Sequence, residues 1–73
     1  MAWLERDTRT GHYKIGFRLG ERKLKKSLRT GSKAEALSAK GVVEQTILAI
    51  ERGWMVLPPN VDVGDFLLSG GRL

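Results

Sequence analysis

The chain has 73 residues, a net charge of +5 and no cysteine, which limits it to one small domain burying only about 60% of its unfolded surface. Neither disulfides nor thiolate zinc sites can supplement such a core. Met1–Asp7 lacks the apolar run of a secretory leader, and no stretch approaches the roughly 20 apolar residues of a membrane-spanning helix. A soluble chain in a reducing cytoplasm is the expectation.

The charge is unevenly spread. Residues 1–31 carry nine Lys/Arg against Glu5, Asp7 and Glu21, residues 32–52 carry three of each sign, and residues 53–73 carry Arg72 against Asp62 and Asp65. All the positive excess therefore lies in the first 31 residues, which points to a polyanionic partner for that segment.

Ala2–Arg6, with Trp3 and Leu4, suits a short strand. Asp7–Gly11 is a polar cluster closing on glycine and reads as a hairpin loop. His12–Leu19 alternates: Tyr13, Ile15, Phe17 and Leu19 on one side, His12, Lys14, Gly16 and Arg18 on the other. Period two is the mark of a half-buried strand. Gly20-Glu21 supplies a tight turn in which Gly20 takes the positive φ of a type II′ hairpin. Arg22–Arg29 continues as a third strand with Leu24 and Leu28 inward and Lys23, Lys25, Ser27 and Arg29 outward. Lys26 shares the apolar side, as suits an edge strand whose lysine stem covers apolar surface while its amine reaches water.

After Thr30-Gly31, Ser32-Lys33-Ala34-Glu35 forms a capping box that opens a helix of about 20 residues. Ala36, Ala39, Val43, Ile47 and Ile50 fall on one stripe, widened by Leu37, Val42, Leu48 and Ala49, with Ser38, Gly41, Gln45 and Arg52 opposite. Gly53 is the expected residue just past the helix end. In a chain with no other core, that stripe packs on its own sheet. The expected fold is thus α+β, a three-stranded antiparallel sheet packed against one C-terminal amphipathic helix (β-β-β-α), over residues 1–53. Residues 54–73, with Pro58-Pro59 and an apolar Phe66-Leu67-Leu68, read as a linker running into the start of a truncated second domain. The alternative is a segment folded back on the first domain through Trp54, Met55 and Val56.

Reaction chemistry has little to stand on. His12 is the single histidine, the serines have no histidine in a recognisable arrangement, and the carboxylates are scattered. Gly16-x-x-x-Gly20 lies in a strand and its turn, not ahead of a helix, so it is no phosphate loop. The expectation is a binding module, not an enzyme, with no cofactor, metal, small-molecule substrate or membrane partner.

Alternation and charge together select the surface. With the apolar residues turned to the helix, the opposite sheet face presents His12, Lys14, Arg18, Lys23, Lys25, Ser27 and Arg29, flanked by Arg22, Lys26 and Lys33 for phosphate contacts. A basic sheet face suits phosphates and the O6 and N7 acceptors of guanine, and a small sheet fits the roughly 12 Å major groove. Four to six neutralised phosphates imply a slope of log K against log salt of about −4 to −5. Gly16 either admits close backbone approach or is a neutral glycine on an exposed strand. RNA recognition by stacking needs aromatics on the open face, and Tyr13 and Phe17 are on the buried side. Two other readings compete: a protein-interaction module docking an acidic partner, and non-specific single-strand binding.

Trp3-Leu4-Glu5-Arg6, Gly11–Arg18, Arg22–Thr30 and Lys33-Ala34-Glu35-Ala36 together resemble the N-terminal arm-type DNA-binding domain of phage and transposon tyrosine recombinases (integrases), over about residues 2–52. Leu4, Tyr13, Ile15, Phe17, Leu28, Thr30 and Lys33 to Ala36 stand at the pattern's positions. Plant AP2-type domains share the architecture. The resemblance implies a β-β-β-α layout whose sheet enters the major groove of duplex DNA. It also implies a bacterial or phage origin, and a parent recombinase in which the linker leads to a helical core-binding domain, started by Val63–Leu73, and then to a catalytic domain that carries the Arg, His and Tyr. The third strand departs from the pattern in having Leu28 where an aromatic is common, and a tryptophan such as Trp3 is unusual on the DNA side.

Overall fold

A computed structural model describes residues 1–72, as β1 (Ala2–Arg6), β2 (Tyr13–Leu19), β3 (Arg22–Ser27), α1 (Lys33–Glu51) and α2 (Val63–Leu68). The three strands form one antiparallel sheet in the order β1-β2-β3. The fold is α+β, and the β-β-β-α order read from the sequence holds, with α2 added.

The two hairpins form for local reasons. In the first loop, Asp7 accepts through its side chain from the Arg9 amide at 2.9 Å and through its carbonyl from the Gly11 amide at 2.7 Å, an Asx-type turn. In the second, Leu19 pairs with Arg22, and Gly20 has φ +61° while Glu21 stays outside the left-handed region. A positive φ at the first central position alone is the type II′ pattern, whose twist matches the flanking strands.

Two strand boundaries differ from expectation. β2 begins at Tyr13, with His12 left in the loop. β3 ends at Ser27 because the ladder is interrupted: the Leu28 amide donates to the Tyr13 carbonyl (2.9 Å), while the Tyr13 amide donates to Thr30, skipping Arg29. Arg29 takes φ 53°, the one non-glycine residue with positive φ among those described, and is turned out of the ladder as a bulge. Its amide is held by the Ser27 hydroxyl at 3.3 Å.

Ser32 caps α1 as the sequence predicts, accepting from the Glu35 amide at 3.3 Å. The reciprocal half of the box runs through Thr30, whose hydroxyl donates to Glu35 Oε2 (2.6 Å) and accepts from the Ser32 amide (3.1 Å). At the other end, the Gly53 amide (φ +77°) donates to Ile50 and the Trp54 amide to Ala49, the two bonds of a Schellman motif.

One core joins every element: Ala2, Ile15 and Phe17 from the sheet, Val43 and Ile47 from α1, and Phe66 and Leu67 from α2, with Leu4, Leu19, Leu24, Leu28 and Ile50 packed around them. The apolar stripe of α1 is narrower than its composition. Leu37, Val42 and Leu48 are 51%, 38% and 36% exposed, because Leu37 and Leu48 sit about 100–120° from the Ala36–Val43–Ile47 direction at 100° per residue. Thr46 is buried instead, and its hydroxyl donates to the Val42 carbonyl at 2.8 Å, so no buried side-chain polar atom is stranded among the described residues.

Over the described residues, the segment expected as linker and domain start packs against residues 1–53; Leu73 lies outside them. Phe66 and Leu67 are 2% and 0% exposed and fill the same core. Burying them removes apolar area that a domain this small has few other ways to supply. The chain returns through Met55, Leu57, Val61 and Val63, whereas Trp54 and Val56 stay exposed at 70% and 82%. Asp62 caps α2 by accepting from the Asp65 amide at 3.0 Å.

Candidate nucleic-acid interface

The sheet registers decide which side chains share the face turned away from α1. Lys14 pairs with Glu5 and Ser27, Gly16 with Trp3 and Lys25, and Arg18 with Lys23. Since side chains alternate along each strand, Lys14, Arg18, Lys23, Lys25 and Ser27 stand together on the outer face, as expected from the sequence. The remaining expected residues do not join these rows. His12 precedes β2, exposed and on the same parity as Lys14. Arg29 follows β3 at the bulge. Arg22 is paired with Leu19 at the hairpin end on the inner parity, and Lys33 opens α1 in the layer behind the sheet.

Lys26, expected among the phosphate contacts, is paired within the chain. Its amine lies 2.7 Å from Asp65 Oδ1 and 3.2 Å from Asp62 Oδ1. The Asp65 and Asp62 carboxylates raise its pKa above the ordinary value, while the Asp65 amide and then Lys26 hold the Asp62 carboxyl below its own. The pairing follows from strand parity: Lys26 points to the inner face of the edge strand, where α2 arrives.

Trp3 and Glu5 belong to the face and were not among the expected contacts. The Trp3 indole lies on Gly16, its direct cross-strand partner. A Cβ at Gly16 would fall 2.6 Å from Nε1 and closer still to Cε2 and Cζ2. An aromatic side chain thus covers a strand glycine, and Gly16 is buried rather than open to an approaching backbone. The ring's Nε1–H donates to Glu5 Oε2 at 2.7 Å, and Lys25 Nζ reaches the same oxygen at 3.0 Å. The indole hydrogen bond, followed by Lys25, holds the Glu5 carboxyl below its ordinary pKa. On the other side, Lys23 Nζ stands 5.4 Å from the ring centroid, a cation–π contact. The parity of Trp3 and Glu5 opposite Ala2 and Leu4 was readable in β1. A five-residue strand shows too little alternation to say which parity faces the core.

No protein-family model, curated protein or solved structure matches this chain.

The face carries Lys14, Arg18, Lys23 and Lys25 against one carboxylate, Glu5. Glu5 offsets Lys25, and Lys14 is 3.9 Å from Asp7. Arg18 and Lys23 have no carboxylate within ion-pair distance among the described residues. Three strands about 4.8 Å apart make a platform roughly 10 Å across. The described residues contain no His/Cys/Asp/Glu group able to hold a metal ion, and no helix of the structure is long and apolar enough to cross a membrane.

The Gly16–Trp3 contact gives a direct test. Gly16→Ala forces the indole off the sheet, breaks the Nε1–Glu5 bond and lowers stability by about 1–3 kcal/mol, the usual size for overpacking. The indole N–H resonance of Trp3, followed with Trp54→Phe to leave one tryptophan, should move to a solvent-exposed shift. An unmoved resonance would show that the ring is not seated on Gly16.

Proposed function

We propose that the chain binds duplex DNA, laying the outer face of its sheet into the major groove. The observation that carries this reading is the gathering of Lys14, Arg18, Lys23 and Lys25 onto one narrow sheet face, backed by a helix layer that takes up the apolar side chains of the opposite face. A platform roughly 10 Å wide suits a groove about 12 Å wide. Long basic side chains at its rim reach the phosphates that bound the groove and supply most of the affinity. The resemblance to the arm-type domains of tyrosine recombinases supports the same reading and extends it: the chain would serve as the site-binding arm of an integrase-like protein in DNA integration or recombination. In that role it contributes recognition, and the reaction chemistry belongs to other domains.

Fluorescence anisotropy of a labelled mixed-sequence duplex, titrated at two salt concentrations, tests the proposal. With Lys25 offset by Glu5 and Lys26 held by α2, three or four phosphates are neutralised, and log K should fall against log salt with a slope of about −3. Micromolar, salt-sensitive binding is the expected result. Absence of duplex binding at low salt would transfer the basic face to an acidic protein partner.

A further inference from the structure

The outer face is basic at its edges but holds one apolar place. The Trp3 indole lies against Gly16, and it shares with Met1, Arg18 and Lys23 a shallow concavity of ≈ 300 Å³. Met1 is 83% exposed beside it. The one polar atom of the indole, Nε1, already donates to Glu5, so the ring has no donor to offer the N7, O6 or O4 acceptors of base edges. The ammonium of Lys23 near the ring belongs to an exposed, flexible side chain and is free to turn towards a phosphate.

Along the major groove every base-edge group that distinguishes the four base pairs is a hydrogen-bond donor or acceptor, with one exception: the C5-methyl of thymine. A donorless apolar surface on a groove-reading face has that methyl as its complement. Resting on the duplex-binding reading above, we propose that Trp3 is a base-specific contact that recognises a thymine methyl. Gly16 positions the ring and the Glu5–Lys25 pair fixes its rotation. Stacking on an unpaired base is disfavoured by the same geometry. Modules that read single strands line up two or three aromatics, whereas here Phe17 is fully buried on the other side and Tyr13 points the same inward way.

The test alters the DNA before the protein. A preferred duplex is selected from a random pool, and each thymine within the protected region is replaced in turn by deoxyuridine, which removes the methyl alone. One or two positions should lose affinity about fourfold per methyl, the effect of one buried CH₂. Trp3→Ala should bind the thymine and deoxyuridine duplexes equally, and Gly16→Ala, which displaces the ring, should do the same. Circular dichroism of both variants confirms that the fold persists. Salt-sensitive duplex binding with no deoxyuridine effect, or with an effect that survives Trp3→Ala, overturns the methyl contact and leaves the duplex-binding reading intact. A selected site without thymine has the same meaning. Failure to bind any duplex, or equal affinity for a single-stranded oligonucleotide, overturns both.

Discussion

Phe66→Ala should lower stability by about 3–5 kcal/mol, the range for removing a buried aromatic side chain. The ring is 2% exposed and lies in one cluster with Phe17, Val43, Ile47 and Leu67. At roughly 0.05–0.15 kcal/mol per residue, a domain of this length has only about 4–11 kcal/mol in total. The variant should therefore lose a large share of that total and melt at a markedly lower temperature or urea concentration, with sheet and α1 signals lost in the same transition as those of α2. Trp54→Ala is the internal control: at 70% exposure its effect should stay within about 0.5 kcal/mol. If Phe66→Ala instead released α2 alone and left β1–β3 and α1 cooperatively folded, α2 would be an appendage and the single-core description would fail.

The second large effect concerns binding. Lys14→Ala, Arg18→Ala and Lys23→Ala combined should weaken duplex binding by about 10²–10³-fold near 0.1 M salt and reduce the slope of log K against log salt by about 2–3. All three side chains are exposed on the outer face, so the unfolding transition should barely move. Lys26→Ala makes the contrasting control. It removes the pairing with Asp62 and Asp65 and loosens the seat of α2, yet should leave the salt slope unchanged. A triple variant that binds as tightly as the native chain would place the contact surface elsewhere.

Much of this architecture was legible from local pattern. Tyr13–Leu19 alternates over its whole length, so strand and inner parity followed together. Gly20 and the Ser32–Glu35 box marked the turn and the helix start through backbone requirements that only certain residues meet. The same logic collected Lys14, Arg18, Lys23, Lys25 and Ser27 on one face. It failed where neighbours in space set the outcome. Arg29 continues the alternation of β3 on paper, but the ladder breaks at Tyr13 and turns it away. Lys26 looks like any edge lysine until two aspartates from 36 and 39 positions further along meet it.

Sequence by itself determined the β-β-β-α order, the period of β2 and β3, both ends of α1 and the sign of the charge on one sheet face, because each depends on residues within a turn or two of one another. Tertiary structure alone decided the rest. It folded residues 55–68 back against the core, with Phe66 and Leu67 inside it, because a sheet and one helix leave apolar surface that only these and their neighbours remain to cover. It also seated Trp3 on Gly16, since the register between β1 and β2, a long-range pairing, chooses which cross-strand neighbour an aromatic ring meets.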